Sequence, residues 1–450
     1  MMRATLAELA AILGCQVPAG ASQVVVAGVA FDSREVAPGN LFVAIPGEKT
    51  DGHLFLEEAR RRGAAAALVL RPQPAALPQL AVPDTVAALQ RLAAAEREKR
   101  QLAVAAVTGS VGKTTTKAML AALLRTRFPV AETRLSRNSQ VGLPAELLNL
   151  PEHASWFVAE AGMSHAGELD RLGRVLAPDA LLYTRIAPVH LEFFPSLAAI
   201  AEAKAELIPH LKPEGVLVVN AADPWQESFP SRFSGRLRRY GAAGCDLWLA
   251  SYRSRGLLGS QLSLQGPGVR FQATLPLPGK HQAENFLAAA CLALELGVDP
   301  ESIAATAATL APQPHRGAVH RLANGAILVD DSYNASPAAV AAMLELLAET
   351  PGRKVAVLGE MLELGEQAEQ FHRETGKLAR QACEQLLAVG GENARALAEA
   401  FGPGAQWVED VAAAIPRCRT LLEGGEVVLV KGSRGIGLDR LVAALLEEGR

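Results

Sequence analysis

Residues 108–115 read TGSVGKTT, directly after the apolar run 102–107 and directly before a helix-forming stretch at 117–125. A strand that ends in a glycine turn and re-enters as a helix aims backbone N–H groups and the positive end of the helix dipole at one point. That is how a chain holds a phosphate. Lys113 adds a charge, and Thr114 follows with a hydroxyl suited to an accompanying Mg²⁺. The usual loop opens with glycine where this chain has Val107, so its first glycine is Gly109. The strand and helix context still favours a phosphate loop made of Thr108, Gly109, Ser110, Val111, Gly112, Lys113, Thr114 and Thr115. An ATP-using α/β protein is the expectation.

At 450 residues the chain exceeds one ordinary core, and about three domains of ~150 residues are expected. The net charge of −3 gives no basic excess for nucleic acid and no acidic tail. Five cysteines, at 15, 245, 291, 383 and 418, form no C-x-x-C pair and read as reduced thiols. The opening MMRATLAELAAILG carries Glu8 within its apolar stretch and reads as an amphipathic helix, not a signal peptide. No apolar run approaches the ~20 residues that span a bilayer. A cytoplasmic, soluble monomer that neither binds nucleic acid nor inserts into a membrane is expected.

Short apolar runs alternate with turns through 24–82, and the proline-rich stretch 71–83 reads as a linker. Runs at 156–159, 180–183 and 216–219 alternate with helical stretches, the clearest at 196–211, as a parallel sheet covered by helices requires. Segment 245–278 switches to glycine-punctuated strands, and 283–296 reads as a closing helix. After the APQPHRG break at 311–317, four more apolar runs define a second α/β unit. The expected division is 1–82, 83–312 and 313–450.

Chemistry-bearing residues cluster just after strands. Glu160, behind the run 156–159, is the candidate acidic metal partner. His190 follows the run 181–186 and a proline turn, and is open to a metal-ligand or a structural role. Lys204 sits on an alanine-rich helix face, where residue chemistry alone reads it as exposed. Asn285 either reads a base edge or caps its helix. Arg316, at the second break, is a guanidinium placed to act between two domains. Asp331, Tyr333, Asn334, Lys431 and Arg434 follow strands of the last unit and are expected to face the central one.

Taken together, DSREVAPGNLFVAIPGEKTDGH (32–53), the loop at 108–115, EAGMSHAGEL (160–169), APVHLE (187–192), EAKAEL (202–207), GKHQAENFLAAA (279–290), DDSYNASP (330–337), LGEMLELGE (358–366) and VKGSR (430–434) closely resemble the Mur ligases. These are ATP-dependent, amide-forming enzymes of peptidoglycan synthesis. The resemblance implies three domains: a small N-terminal α/β UDP-binding domain, a central phosphate-loop ATPase domain with a parallel sheet, and a C-terminal Rossmann-like domain. It also implies ATP and Mg²⁺ as cofactors, with Lys204 carbamylated and joined by Thr114, Glu160 and His190 around the metal. Lys113, Lys204, His190 and Arg316 then carry the catalysis, and Asn285, Arg316 and Asp331 contact the nucleotide. Ser33 and Arg34 are candidates for the UDP end, and Asn138, Tyr333, Asn334, Lys431 and Arg434 for the peptide. The motifs fit best the branch that adds D-Ala-D-Ala to UDP-N-acetylmuramoyl-tripeptide. DDSYNASP stands where the third-residue ligases carry D-Y-A-H-x-P, and an Asp-Asn-Pro-Arg motif is absent. The alternative is the ligase that adds that third residue, diaminopimelate or lysine. A folate polyglutamate ligase and a switch-type nucleotide binder are more distant rivals.

Overall fold

The computed structural model describes residues 1–47, 50–134 and 137–447. It is a three-domain α/β protein. The phosphate-loop strand Ala103–Thr108 lies inside a six-stranded sheet whose strands all run parallel. The order is 236–240, 216–220, 180–183, 103–108, 156–160, 130–132. Val104, Ala105, Ala106 and Val107 are fully buried, as a strand covered by helices on both faces requires. The chain leaves 103–108 toward one edge and later crosses to its other side. The order therefore reverses at 103–108, and a crevice opens at its carboxyl end.

A four-stranded parallel sheet, 29–30, 41–43, 66–69 and 79–81, precedes the central sheet. An antiparallel sheet, 248–254, 260–266 and 269–275, extends it. The last sheet orders 318–321, 327–330, 427–431, 354–359, 385–389 and 405–408, with only the first strand antiparallel. The late strand 427–431 inserts between 327–330 and 354–359, so a second crevice opens at their carboxyl ends.

The first two sheets share one hydrophobic cluster, running from Leu6, Leu9 and Leu13 through Leu89 and Leu92 to Leu147 and Phe157. Asn149 ties the seam by accepting from the Val29 amide and donating to the Val29 carbonyl, each at 2.8 Å. The last sheet keeps two clusters of its own on its two faces.

Four local expectations are corrected. The opening segment is not all helix: Arg3–Thr5 pairs with Val25–Ala27, and the helix Leu6–Leu13 begins at a Thr5–Glu8 capping box. The proline-rich segment 71–83 contains the edge strand Gln79–Ala81. An edge needs few donors, and the Pro78 carbonyl still accepts from the Ala67 amide at 2.8 Å. The helix expected over 196–211 stops at Ala205 and gives way to a 3₁₀ turn, Ile208–His210. Pro209 offers no N–H to continue it. Asn285 is the sixth residue of helix Lys280–Glu295, so it caps nothing. No helix among the described residues is long and apolar enough to cross a membrane.

Candidate active site

The two crevices face each other across a cleft of about 640 Å³, within the usual range for a small-molecule site. From the central domain come Ser110, Val111, Gly112, Lys113, Thr114, Thr115, Asn138, Glu160, His190 and Asn285; from the hinge comes Arg316. From the last domain come Asp331, Tyr333, Asn334, Lys431 and Arg434. The sequence expectation for these residues meets in one place.

Loop geometry explains the two glycines. Gly109 has φ 144° and Gly112 has φ 83°. A Cβ at Gly109 would lie 1.9 Å from Thr184 Oγ1, and one at Gly112 would lie 2.3 Å from Asn285 Oδ1. Thr108 is buried beneath the loop and donates from Oγ1 to the Ala161 carbonyl at 2.9 Å. The Ser110 amide donates to the Arg185 carbonyl at 2.8 Å, which ties the loop to the end of strand Ala180–Tyr183. Gly109→Ala combines this clash with positive-φ strain of about 1–3 kcal/mol. It is expected to weaken nucleotide binding roughly tenfold or more, read by calorimetry against adenine nucleotide. Wild-type affinity would show that the loop tolerates a Cβ.

Thr114 donates from Oγ1 to Glu160 Oε2 at 2.7 Å, and Asn138 donates from Nδ2 to Glu160 Oε1 at 2.7 Å. Glu160 is 2 % exposed, so it is not a solvated strand-end carboxylate. Lys113 starts the helix Lys113–Leu124, and its Nζ donates to the Ser110 carbonyl at 3.0 Å. Burial pushes the Lys113 ammonium below its ordinary value; Glu160 opposes this and Arg316 adds to it. Arg316 therefore acts electrostatically on the phosphate loop from the hinge. Its guanidinium sits 4.2 Å from the Tyr333 ring centroid, and Arg434 lies 5.6 Å from the same ring. Lys431 Nζ bridges Asp331 Oδ2 at 2.5 Å and the Asn334 carbonyl at 2.9 Å.

Lys204 overturns the exposed reading. It is 1 % exposed, and no salt bridge reaches it among the described residues. Tyr183, fully buried, donates its hydroxyl to the Lys204 carbonyl at 2.8 Å and fixes this end of helix Leu197–Ala205. Burial first, and then the Lys113 charge, hold the Lys204 amine well below its usual range. His190, with φ 56°, gives Nδ1 to Glu363 Oε2 of the last domain at 2.5 Å. That hydrogen bond, against a smaller burial effect, keeps the Glu363 carboxyl below its ordinary value.

Ser33 and Arg34 do not line this cleft. They occupy the 3₁₀ turn Ser33–Glu35 of the first domain, where Ser33 Oγ donates to Glu58 at 2.9 Å and Arg34 pairs with Asp32 at 2.6 Å. Their neighbour Glu35 pairs with Arg137 of the central domain at 2.5 Å.

Sequence reasoning passed over His281, Gln282 and Glu363, although it singled out the segments that hold them. His281 Nδ1, Gln282 Oε1, Ser110 Oγ and Ser336 Oγ are buried without a hydrogen-bond partner, and all four residues line the cleft. Buried polar atoms are normally paired, and four orphans in one cavity suit a polar ligand. Burial lowers the His281 pKa to about 4, with Asp331 opposing and Lys431 assisting, so the ring is neutral at pH 7.

No group of three or more His, Cys, Asp or Glu side chains among the described residues could hold a metal ion alone. Mg²⁺ does not require one: it usually keeps several waters and takes one or two carboxylates plus substrate phosphate. The paired Thr114 hydroxyl and Glu160 carboxylate beside the phosphate loop fit that donor set.

Three family models match in chain order: "Mur ligase family, catalytic domain" over 25–97, "Mur ligase middle domain" over 107–293, and "Mur ligase, glutamate ligase domain" over 315–434. The UDP-N-acetylmuramoyl-tripeptide--D-alanyl-D-alanine ligase of Escherichia coli (strain K12) is 36% identical, with 100% of both chains covered. A crystal structure of MurF from Acinetobacter baumannii superposes with TM-score 0.91 at 31% identity, covering 99% of each chain. A MurF ligase from Thermotoga maritima, in complex with ADP, matches with TM-score 0.82 at 30% identity, over 94% of this chain and 98% of that one. With likeness running end to end through all three sheets, the chain belongs to the Mur ligase family, alongside its UDP-N-acetylmuramoyl-tripeptide--D-alanyl-D-alanine ligases.

Proposed function

We propose that this chain joins D-Ala-D-Ala to UDP-N-acetylmuramoyl-tripeptide at the expense of ATP, making the pentapeptide precursor of peptidoglycan. The observation that carries this reading is the meeting of phosphate loop, hinge arginine and last-domain crevice in one cleft. Residues 1–82 grip the UDP end, with Ser33 and Arg34 as candidates, 83–312 bind ATP, and 313–450 close over it.

An oxygen of the tripeptide's terminal carboxylate attacks the γ-phosphorus, and ADP leaves with the bridging electron pair. Lys113 and Arg316 offset the charge that spreads over the transferring oxygens, so catalysis is mostly positioning and electrostatics. The dipeptide amine then attacks the acyl phosphate carbonyl carbon; the tetrahedral adduct expels phosphate and loses a proton, leaving the amide. Closure by the last domain shields the acyl phosphate from water. Asn285 and Asp331 are assigned to the nucleotide, and Asn138, Tyr333, Asn334, Lys431 and Arg434 to the peptide. Thr114, Glu160 and His190 would hold Mg²⁺, which supplies charge neutralisation at the phosphate oxygens when bound.

Lys204 is assigned a carbamate. A buried ion costs on the order of several kcal/mol after relaxation, which favours the neutral amine. A neutral amine adds CO₂ and releases one proton, giving an anion that Lys113 and a metal can compensate. The protein is proposed to act as a cytoplasmic monomer.

Incubating the chain with ATP, UDP-muramoyl-tripeptide and D-Ala-D-Ala, and reading the product by mass spectrometry, tests this directly. The expected product gains one dipeptide less water, with matching ADP release. Release of ADP without an amide, or coupling of diaminopimelate or lysine to the shorter precursor, would overturn the assignment.

A further inference from the structure

We infer that Glu363 is a positioning residue for the reaction: from the last domain, it sets the orientation of His190 in the central domain, so that the ring is held ready for metal ligation only when the two domains are docked. The inference rests on the ligase reading above. An ionised carboxylate only accepts hydrogen bonds, so the 2.5 Å contact puts a proton on His190 Nδ1, and a neutral ring held this way offers its lone pair at Nε2. Metal-ligating histidines almost always give their second nitrogen to such a partner, which fixes tautomer and ring angle. Here the partner lies 173 residues away, on another domain.

The backbone supports the same pairing. His190 has φ 56° and Glu363 has φ 63°, a conformation rare for residues with a Cβ. Two such residues facing each other across a domain seam are held there by their surroundings. The Glu192 amide donates to the Glu363 carbonyl at 3.2 Å, and a Cβ built on Gly365 would lie 3.1 Å from the Leu191 carbonyl. The segment 363–365 therefore reads the 190–192 turn through main chain and side chain together.

The test uses Glu363→Ala and Glu363→Gln in the full chain. Each is assayed for ligase turnover and, separately, for ADP binding by calorimetry across a Mg²⁺ series. Glu363→Ala is expected to lower kcat about 10–100-fold, and to raise by a similar factor the Mg²⁺ concentration that half-saturates ADP binding. Glu363→Gln should recover most of both, since its amide oxygen still accepts from Nδ1–H. An unchanged Mg²⁺ requirement in Glu363→Ala overturns the inference, whatever happens to turnover or melting temperature. A wild-type chain that binds ADP with Mg²⁺ but forms no amide would instead defeat the ligase reading, while the binding arm still scores Glu363.

Discussion

Lys113→Ala is expected to abolish turnover, with kcat falling by about 10³-fold or more, because it removes a preorganised charge from a water-poor site. The buried ammonium sits at the start of helix Lys113–Leu124, where in the proposed reading its charge and the helix dipole would act on the same phosphate. Loss of the charge should depress kcat far more than it weakens substrate binding, since the transferring oxygens gain charge as the bond breaks. Melting temperature separates this from misfolding. Near-normal product formation by Lys113→Ala would remove the phosphate loop from the mechanism.

Lys204→Ala is expected to lose about 10²–10³-fold in kcat and to regain part of it when formate or acetate is added. The missing group in this reading is an anion, and a small carboxylic acid can enter the vacated space and supply one. The depressed pKa has a definite sign. A base with a lowered pKa is neutral at pH values where an exposed lysine is still charged, so CO₂ can add to it at lower pH than to an ordinary lysine. Activity of the unmodified chain should therefore fall as pH drops and the amine protonates, and added bicarbonate should counter that fall. Full activity of Lys204→Ala without any acid would show that the carbamate is unnecessary.

How legible these residues were differs from one to the next, for physical reasons. The strand, turn and helix around 103–124 were readable because periodicity, glycines and lysine agree locally. The positions of Asp331, Lys431 and Arg434 were readable too, since residues just past parallel strands gather at one sheet end. Lys204 was not. Alanine neighbours suit both surface and core, so nothing local marks its helix as packed on the lysine side. Glu363 was invisible for another reason: its partner is remote in sequence, and an acidic residue in a loop after a strand usually faces water. The strand at 79–81 hid among prolines because an edge position tolerates them.

The continuous packing from Leu6 to Phe157 gives the first two domains one shared core, whereas the last is joined to them through the segment around His315–Gly317, the His190–Glu363 contact and the packing of Leu257. If the first domain holds the nucleotide end as proposed, a long precursor would meet the phosphate loop at a span set by the shared core. On that proposal the pair of domains would act as a yardstick: a peptide one residue short would leave its carboxylate away from the γ-phosphorus, however firmly its other end were held. Chain length would thus be checked before any bond is made.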